Sequence, residues 1–139
     1  MVSYACYDPT TLPRPGDVVW CRFPFREMPG KPGAKPRPAI VRAVFLDRRT
    51  SRSSVEVAFG TSKKTDKLYK GEFLVATPSG RRAAGLDLAT KFDLGRTVRI
   101  PWAIQFFTVR PGADSLIVGS LHPTDVMALR QAAKALTRR

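Results

Sequence analysis

Three short segments of this chain carry side chains that can act on a phosphate group. In the first, Pro36 and Pro38 flank Arg37 at the start of an apolar stretch, and Lys35 precedes them. The prolines restrict the backbone around the arginine, and a guanidinium held in place offers a phosphate a rigid fork of donors. An ordinary exposed arginine at the start of a strand is the structural alternative.

The second segment follows an alternating stretch and is rich in hydroxyls and positive charge. Thr61 and Ser62 come directly after Gly60, and Lys63 and Lys64 follow. Such a turn can present backbone N–H groups, hydroxyls and ammonium groups to a phosphate. It can equally be a polar turn that the Ser and Thr side chains cap.

The third segment holds Lys91 and Asp93, which are two residues apart. On an extended strand, side chains at that spacing face the same side. The pair can be a structural salt bridge. It can also be an acid–base couple, in which the carboxylate removes a proton from a ribose 2′-OH and the ammonium protonates the leaving oxygen.

The sequence lacks the residue patterns of most other hydrolytic sites. It has one histidine, His122, which excludes a mechanism with two catalytic histidines, and it has no phosphate loop, nucleophile elbow or metal-ligand spacing. The two cysteines, Cys6 and Cys21, fit no zinc pattern and are expected to be free thiols. We therefore expect any catalysis to use Arg, Lys, Thr, Ser and Asp side chains, with no metal and no small-molecule cofactor. That set suits phosphodiester chemistry.

The charge of the chain points to a polyanionic partner. Its 139 residues include 24 Lys and Arg against 11 Asp and Glu, a formal net charge of +13. Nucleic acid, an anionic membrane surface and an acidic protein are the candidates, and a charge that only prevents aggregation is the alternative. No apolar run reaches the roughly 18 residues of a membrane span, and the first residues do not read as a signal peptide. We expect one cytoplasmic domain, residues 1–139, without membrane contact.

The pattern of apolar residues predicts many short strands and one helix. Strands are expected at residues 17–25, 39–46, 55–59, 73–76, 96–104 and 116–121, and a further short apolar run lies at 106–109. Residues 1–13 are expected to form an N-terminal extension, and residues 26–36, rich in Pro and Gly, predict a mobile loop. Only residues 123–138 have helical spacing. Short strands followed by one helix favour a small barrel or sandwich.

Four motifs, in order along the chain, resemble the MazF/PemK/Kid family of toxin endoribonucleases. Residues 15–20 (PGDVVW) look like the family's opening strand, and residues 35–41 (KPRPAIV) are similar to its "RP-[AV]-[LIV]-V" strand. Residues 57–62 (VAFGTS) look like the strand that ends in "P-[IV]-T-S", and residues 91–97 (KFDLGRT) look like "R-C-D-Q-x-R-T".

This resemblance implies a mainly β fold, a small SH3-like barrel with a C-terminal α-helix, which usually forms a homodimer. It also implies a growth-inhibiting toxin of a type II toxin–antitoxin system. Such toxins cleave single-stranded RNA without metal, through attack of the 2′-OH, and leave a 2′,3′-cyclic phosphate.

The resemblance also assigns roles to residues. Arg37 corresponds to the arginine that stabilises the transition-state phosphate, and Thr61 to the threonine that supports it. Asp93 takes the position of a general base and Lys91 that of a general acid. The residues expected to bind substrate are Ser62, Lys63, Lys64 and Lys35.

Partners and alternatives follow from the same comparison. An acidic antitoxin tail is expected to lie across the RNA site and displace the loop at 26–36. The basic turn at residues 47–52 either touches RNA or the antitoxin, or is only solvated. A non-catalytic toxin on the same fold, of the type that poisons DNA gyrase, is one alternative. A general RNA-binding barrel is another, in which exposed aromatic side chains would stack on bases. The candidates are Phe92, Trp102, Phe106 and Phe107, although residues of these types more often belong to the core.

Overall fold

A computed structural model describes residues 4–28 and 30–137 of the chain. The fold is mainly β: within these residues, six antiparallel strands form one sheet, and two α-helices pack against it. The elements are β1 (Asp17–Cys21), β2 (Arg37–Asp47), β3 (Arg52–Thr61), β4 (Glu72–Val75), α1 (Pro78–Ala84), β5 (Thr90–Pro101), β6 (Ile117–Ser120) and α2 (Pro123–Thr137).

The long β2–β3 hairpin is the centre of the sheet, whose strand order is β4-β5-β3-β2-β1-β6. Val41 lies opposite Val57 in this hairpin. β1 pairs with β2 only from Arg37 to Ile40. The part of the hairpin nearest the β2–β3 turn therefore extends past β1. The open end of the hairpin has β1 beside it, whereas the turn end does not.

Both faces of the sheet bury apolar side chains. One face packs against α2 in a cluster that includes Ile40, Ala58 and Leu129. The other is covered by the segment after β5, where Trp102 packs in a second cluster that includes Ala39. Consecutive residues such as Ala39 and Ile40 serve different clusters because side chains alternate along a strand.

The aromatic side chains considered for base stacking belong to these clusters. Phe92 and Trp102 are 0% exposed, and Phe106 and Phe107 are 1% exposed. That interpretation was therefore wrong for all four. Each ring removes a large apolar area from water in the core.

Each predicted strand has a counterpart, but several boundaries differ. β5 begins at Thr90, well before the predicted residue 96, and it ends at Pro101. β1 ends at Cys21 rather than at residue 25, and the run at 106–109 forms only one isolated bridge, between Cys21 and Phe107. The polar start of β3 was predicted as a turn; its partner residues on β2 hold it in the sheet.

The prediction that only the C-terminus is helical was wrong, because α1 is a second helix. Thr77 caps its first turn by accepting a hydrogen bond from the Gly80 N–H, Pro78 occupies the first turn, and Gly85 ends it with φ +70°. Its seven residues are too few to show a helical period in the sequence. α2 matches the prediction up to Thr137, and residue 138 lies outside the described residues.

The N-terminal extension is attached to the core in its described part, which begins at Tyr4. The Tyr7 N–H donates to the carbonyl oxygen of Trp102 at 2.9 Å. The indole N–H of Trp102 donates to the hydroxyl of Thr11 at 3.0 Å, next to a single 3₁₀ turn at Pro9–Thr11. The extension therefore covers one edge of the second cluster.

Asp125, in the first turn of α2, makes the stability of the fold depend on pH. Burial raises the pKa of this carboxyl group, against an opposing effect of His122, and its Oδ2 atom is buried with no hydrogen-bond partner in the described chain. Between the ordinary value of 3.8 and the raised pKa, the folded protein binds more protons than the unfolded chain, so stability falls as pH rises. We expect Asp125→Asn to reduce the decrease in the free energy of unfolding over this pH range, as measured by urea unfolding at a series of pH values. A pH dependence equal to that of the wild type would contradict the role of Asp125.

Among residues 4–28 and 30–137, neither helix has the length and apolar character that crossing a membrane requires.

Candidate functional site

Arg37 and Thr61 lie at the same end of the central hairpin. Arg37 begins β2 and Thr61 ends β3, and the pairing of Ala39 with Phe59 puts both side chains on one face of the sheet. They line a pocket of about 420 Å³ together with Lys35, Lys63 and Arg96. We term this pocket, with these five residues, the basic pocket.

A bulge in β5 supplies Arg96 to the basic pocket. Ala58 on β3 pairs with Thr97, whereas the next residue, Phe59, pairs with Asp93. Residues 94–96 therefore have no partner on β3. Such bulges bend a strand and re-aim its side chains, and this one brings a fourth positive charge into the pocket.

Two aromatic rings hold the Arg96 guanidinium. Its Cζ atom lies 4.1 Å from the ring centroid of Phe59 and 5.4 Å from that of Phe23. Burial is the largest cause that lowers the pKa of Arg96, with Arg26 and Arg37 adding repulsion and Asp93 opposing it. Its buried Nε atom has no hydrogen-bond partner in the described chain.

The lining of the basic pocket has an excess of positive charge. Among its described lining residues there is no Asp or Glu. The ion pairs of the described chain are Lys91–Glu72 and Arg110–Asp87, and neither includes a lining cation of the pocket. Lys35, Arg37 and Lys63 have no ion-pair partner in the described chain. Arg96 experiences the negative charge of Asp93 and Glu27 as well as the repulsion of Arg26 and Arg37. The remaining positive charge attracts an anion.

The Thr61 hydroxyl oxygen accepts one hydrogen bond. The Lys63 N–H donates to its oxygen at 3.1 Å, so the hydroxyl hydrogen is left to donate to another acceptor. A phosphate oxygen in the basic pocket is such an acceptor.

The loop between β1 and β2 is tied at its base, and this positions Lys35. The Gly33 N–H donates to the carbonyl oxygen of Arg22 at 3.0 Å, and the Arg22 guanidinium donates to the carbonyl oxygen of Ala34 at 2.6 Å. These bonds hold the end of the loop against Arg22 just before Pro36. The two prolines and the start of β2 therefore continue from a backbone segment whose position is fixed.

Gly60 allows β2 and β3 to approach closely beside Thr61. A Cβ atom there would collide with the carbonyl oxygen of Pro38 and lie 2.7 Å from the ring of Phe92. We expect Gly60→Ala to lower the free energy of unfolding by about 1–3 kcal/mol in denaturant titration. Gly30→Ala is the matched control, because a Cβ at Gly30 meets nothing within 4 Å. Equal stabilities of the two variants would contradict the close approach.

Ser62 and Lys64 lie outside the basic pocket. Ser62 lines a neighbouring cleft of about 170 Å³, which Arg37 and Thr61 also border. Lys64 is exposed and has φ +54°, in the turn after β3. Arg37 and Thr61 thus stand between two recesses and line both of them.

Lys91 is held away from the basic pocket by an ion pair. Its Nζ atom lies 3.1 Å from Oε1 of Glu72, and it also donates to the carbonyl oxygen of Lys67 at 3.1 Å. The two side chains of the ion pair are 7% and 11% exposed. β4, which pairs with β5, brings Glu72 to this position.

Asp93 lies beside the basic pocket rather than in its lining. Its Oδ1 accepts a hydrogen bond from the Gly95 N–H at 2.9 Å, within the bulge. Asp93 also stabilises the charged form of Arg96, whose pKa it raises. On β5, Lys91 lies opposite Thr61 and Asp93 opposite Phe59, so the two side chains share one face of the sheet as their spacing predicts. They form no ion pair with each other in the described chain: Lys91 pairs with Glu72, and Asp93 stabilises the charged form of Arg96.

No three His, Cys, Asp or Glu side chains in the described part of the chain form a group that could hold a metal ion. No family model and no curated protein matches the chain.

Four of the residues predicted from the sequence line one pocket in the structure: Lys35, Arg37, Thr61 and Lys63. Arg96 lines the same pocket, but nothing in the sequence assigned it a role. Arg96 was part of the motif at residues 91–97. The alternation of side chains along a strand could not predict the face of the sheet on which the Arg96 side chain lies, because the bulge in β5 interrupts that alternation.

Proposed function

We propose that this protein is a metal-independent endoribonuclease that cleaves single-stranded RNA at the basic pocket. The observation that carries this proposal is the cluster of Lys35, Arg37, Lys63 and Arg96, which line one pocket with Thr61 and form no ion pair in the described chain. Phosphodiester cleavage concentrates negative charge on phosphate oxygens in the transition state, and fixed cations and donors stabilise that charge.

The proposed reaction is transfer of the phosphate within RNA. The 2′-oxygen attacks the adjacent phosphorus, the bond to the 5′-oxygen breaks, and a 2′,3′-cyclic phosphate and a 5′-OH result. Arg37 and the Thr61 hydroxyl donate hydrogen bonds to the non-bridging phosphate oxygens. Arg96, whose guanidinium lies on the ring of Phe59, contributes a further positive charge that stabilises the phosphate.

Asp93 is the proposed general base. Gly95 occupies one of its carboxylate oxygens, and the other has no hydrogen-bond partner in the described chain. Asp93 is near enough to Arg96, which lines the pocket, to stabilise its charge. A 2′-OH bound beside Arg96 therefore has a proton acceptor in Asp93. Lys91 can act as general acid only after its pair with Glu72 opens.

The wider assignment is that of a MazF/PemK/Kid-type toxin. We propose that the sheet and helices correspond to that family's SH3-like barrel, and that a homodimer acts in the cytoplasm, inhibits growth and is silenced by an acidic antitoxin. The net charge of +13 supports partners of this kind. In this proposal the acidic tail lies across the basic pocket and displaces the loop at residues 26–36.

The test is cleavage of a single-stranded oligoribonucleotide by the wild-type protein in excess EDTA, with analysis of the product ends. We expect cyclic phosphate and 5′-OH ends. The control oligonucleotide has a 2′-deoxy sugar at the cleaved position and is expected to remain intact, because it lacks the nucleophile. Cleavage of the deoxy control, or no cleavage by folded protein, would overturn the reaction.

One observation favours a non-catalytic toxin instead. The basic pocket has no carboxylate in its described lining, and Lys91 is engaged elsewhere. A protein that binds a target such as DNA gyrase would inhibit growth without cutting RNA. Its activity would be indifferent to substitution of Arg37 and Thr61, which separates the two functions.

A further inference from the structure

A second recess lies at the other end of the central hairpin. It has a volume of about 790 Å³, and Tyr4, Phe45, Arg52, Ser53 and Arg99 are part of its wall. We term it the hairpin pocket. Phe45 is eight residues beyond Arg37 on β2, which places the two pockets about 25 Å apart at about 3.3 Å per residue.

The hairpin pocket holds a guanidinium stacked on an aromatic ring. The Cζ atom of Arg99 lies 3.8 Å from the ring centroid of Phe45. Its Nε donates to the hydroxyl of Ser54 at 2.9 Å, which fixes the plane of the group. Arg99 is exposed, so the face of the guanidinium that does not touch the ring is left to a ligand.

Positive charge surrounds the turn that adjoins the hairpin pocket. Arg48, Arg49 and Arg52 are exposed there, and Asp47 is the acidic residue of the pocket wall. Ser53 alternates with Ser54 and faces the other side of β3, so its buried hydroxyl is not a contact for a ligand stacked on Arg99.

We propose that the hairpin pocket is a second binding site for single-stranded RNA, where one base stacks on Arg99. Flat guanidinium groups and aromatic rings are the surfaces on which unpaired bases stack, and the arginines of the turn meet the neighbouring phosphates. This inference rests on the proposed function in taking RNA as the ligand, but it does not require cleavage.

Length dependence of RNA binding tests the proposal. A stacked strand, with a rise of about 3.4 Å per nucleotide, spans about 25 Å with about seven nucleotides, and a more extended single strand needs fewer. The probes are 2′-O-methyl RNAs, which cannot be cleaved, one of about 4 nucleotides and one of about 15. Their affinities are measured by fluorescence anisotropy for the wild type, Arg99→Gln, Arg99→Lys and Arg130→Gln, where Arg130 is an exposed arginine of α2.

We expect Arg99→Gln to weaken binding of the long RNA about tenfold and leave the short RNA unchanged, because one stacked base is lost. Arg99→Lys keeps the charge but loses the planar group, so it is expected to weaken binding nearly as much. Arg130→Gln is expected to match the wild type. Full binding by Arg99→Lys would reveal a simple charge contact and overturn the stacking.

A second measurement uses the wild-type sequence. Cys6 is exposed in the wall of the hairpin pocket, whereas Cys21 is buried and its thiol pKa is raised by burial. A bulky maleimide therefore labels Cys6 selectively. We expect the label to weaken binding of the long RNA and to leave binding of the short RNA unchanged.

The outcomes separate this inference from the proposed function. Tight, Arg99-dependent binding without cleavage would leave the hairpin pocket standing and remove the ribonuclease. Cleavage with no effect of Arg99 or of the Cys6 label would overturn the hairpin pocket alone. If poly-L-glutamate binding depends on Arg99 while RNA binding does not, the pocket serves an acidic protein, and the proposal is overturned.

Discussion

Arg37→Ala is expected to reduce the single-turnover rate of RNA cleavage by about 10²–10³-fold, the cost of removing one preorganised donor from a developing oxyanion. Arg37 is half-buried at the start of β2, borders both recesses and has no carboxylate partner in the described chain. Its charge is therefore available to the phosphate. Arg37→Lys is expected to recover only part of the rate, since a point charge replaces a two-pronged donor.

The matched control for this prediction is Arg130→Ala, which removes an exposed arginine from α2, outside the basic pocket. It is expected to keep the wild-type rate. Thermal unfolding of all three variants shows whether they are folded. Equal rates for Arg37→Ala and Arg130→Ala, both folded, would contradict a role for Arg37 in the reaction.

Lys91→Met is expected to lower the free energy of unfolding by about 3–5 kcal/mol, the cost of leaving one charge of a buried ion pair alone. The lone charge would be Glu72, whose side chain is 11% exposed. In the double variant Lys91→Met/Glu72→Leu both charges are absent, and most of the loss is expected to be recovered. Urea unfolding measures both effects, and Lys134→Met, at an exposed position of α2, is the control.

This pair of variants also tests the role that the resemblance gives to Lys91. If the double variant is stable and cleaves RNA at the wild-type rate, Lys91 is structural and is not the general acid. If the double variant is stable but inactive, Lys91 takes part in the reaction and its pair with Glu72 must open. A single variant as stable as Lys134→Met would contradict the buried ion pair itself.

The parts of the site that could be predicted are those that local sequence determines. Arg37 and Thr61 each lie at the end of a strand whose apolar pattern is visible, and the turn between those strands is polar, so pairing them in a hairpin brings the two residues together. The C-terminal helix could be predicted for the same reason, because its period extends over Pro123–Thr137.

The remaining features depend on contacts between distant parts of the chain. The partner of Lys91 is Glu72, which reaches it only because β4 pairs with β5. Arg96 enters the basic pocket through a bulge that interrupts the alternation of β5. α1 is determined by its caps, Thr77 and Gly85, rather than by an apolar period. None of these three can be derived from spacing along the sequence alone.

The central claim is that RNA binds in the basic pocket, and photo-crosslinking tests it most directly. A 2′-O-methyl RNA that carries 4-thiouridine is irradiated with the wild-type protein, and the crosslinked residues are mapped by mass spectrometry. We expect crosslinks at Phe23, Phe59 or Arg96, or within residues 33–37 or 61–63, that disappear when unlabelled RNA competes. Crosslinks confined to other surfaces, such as α2, would contradict the account.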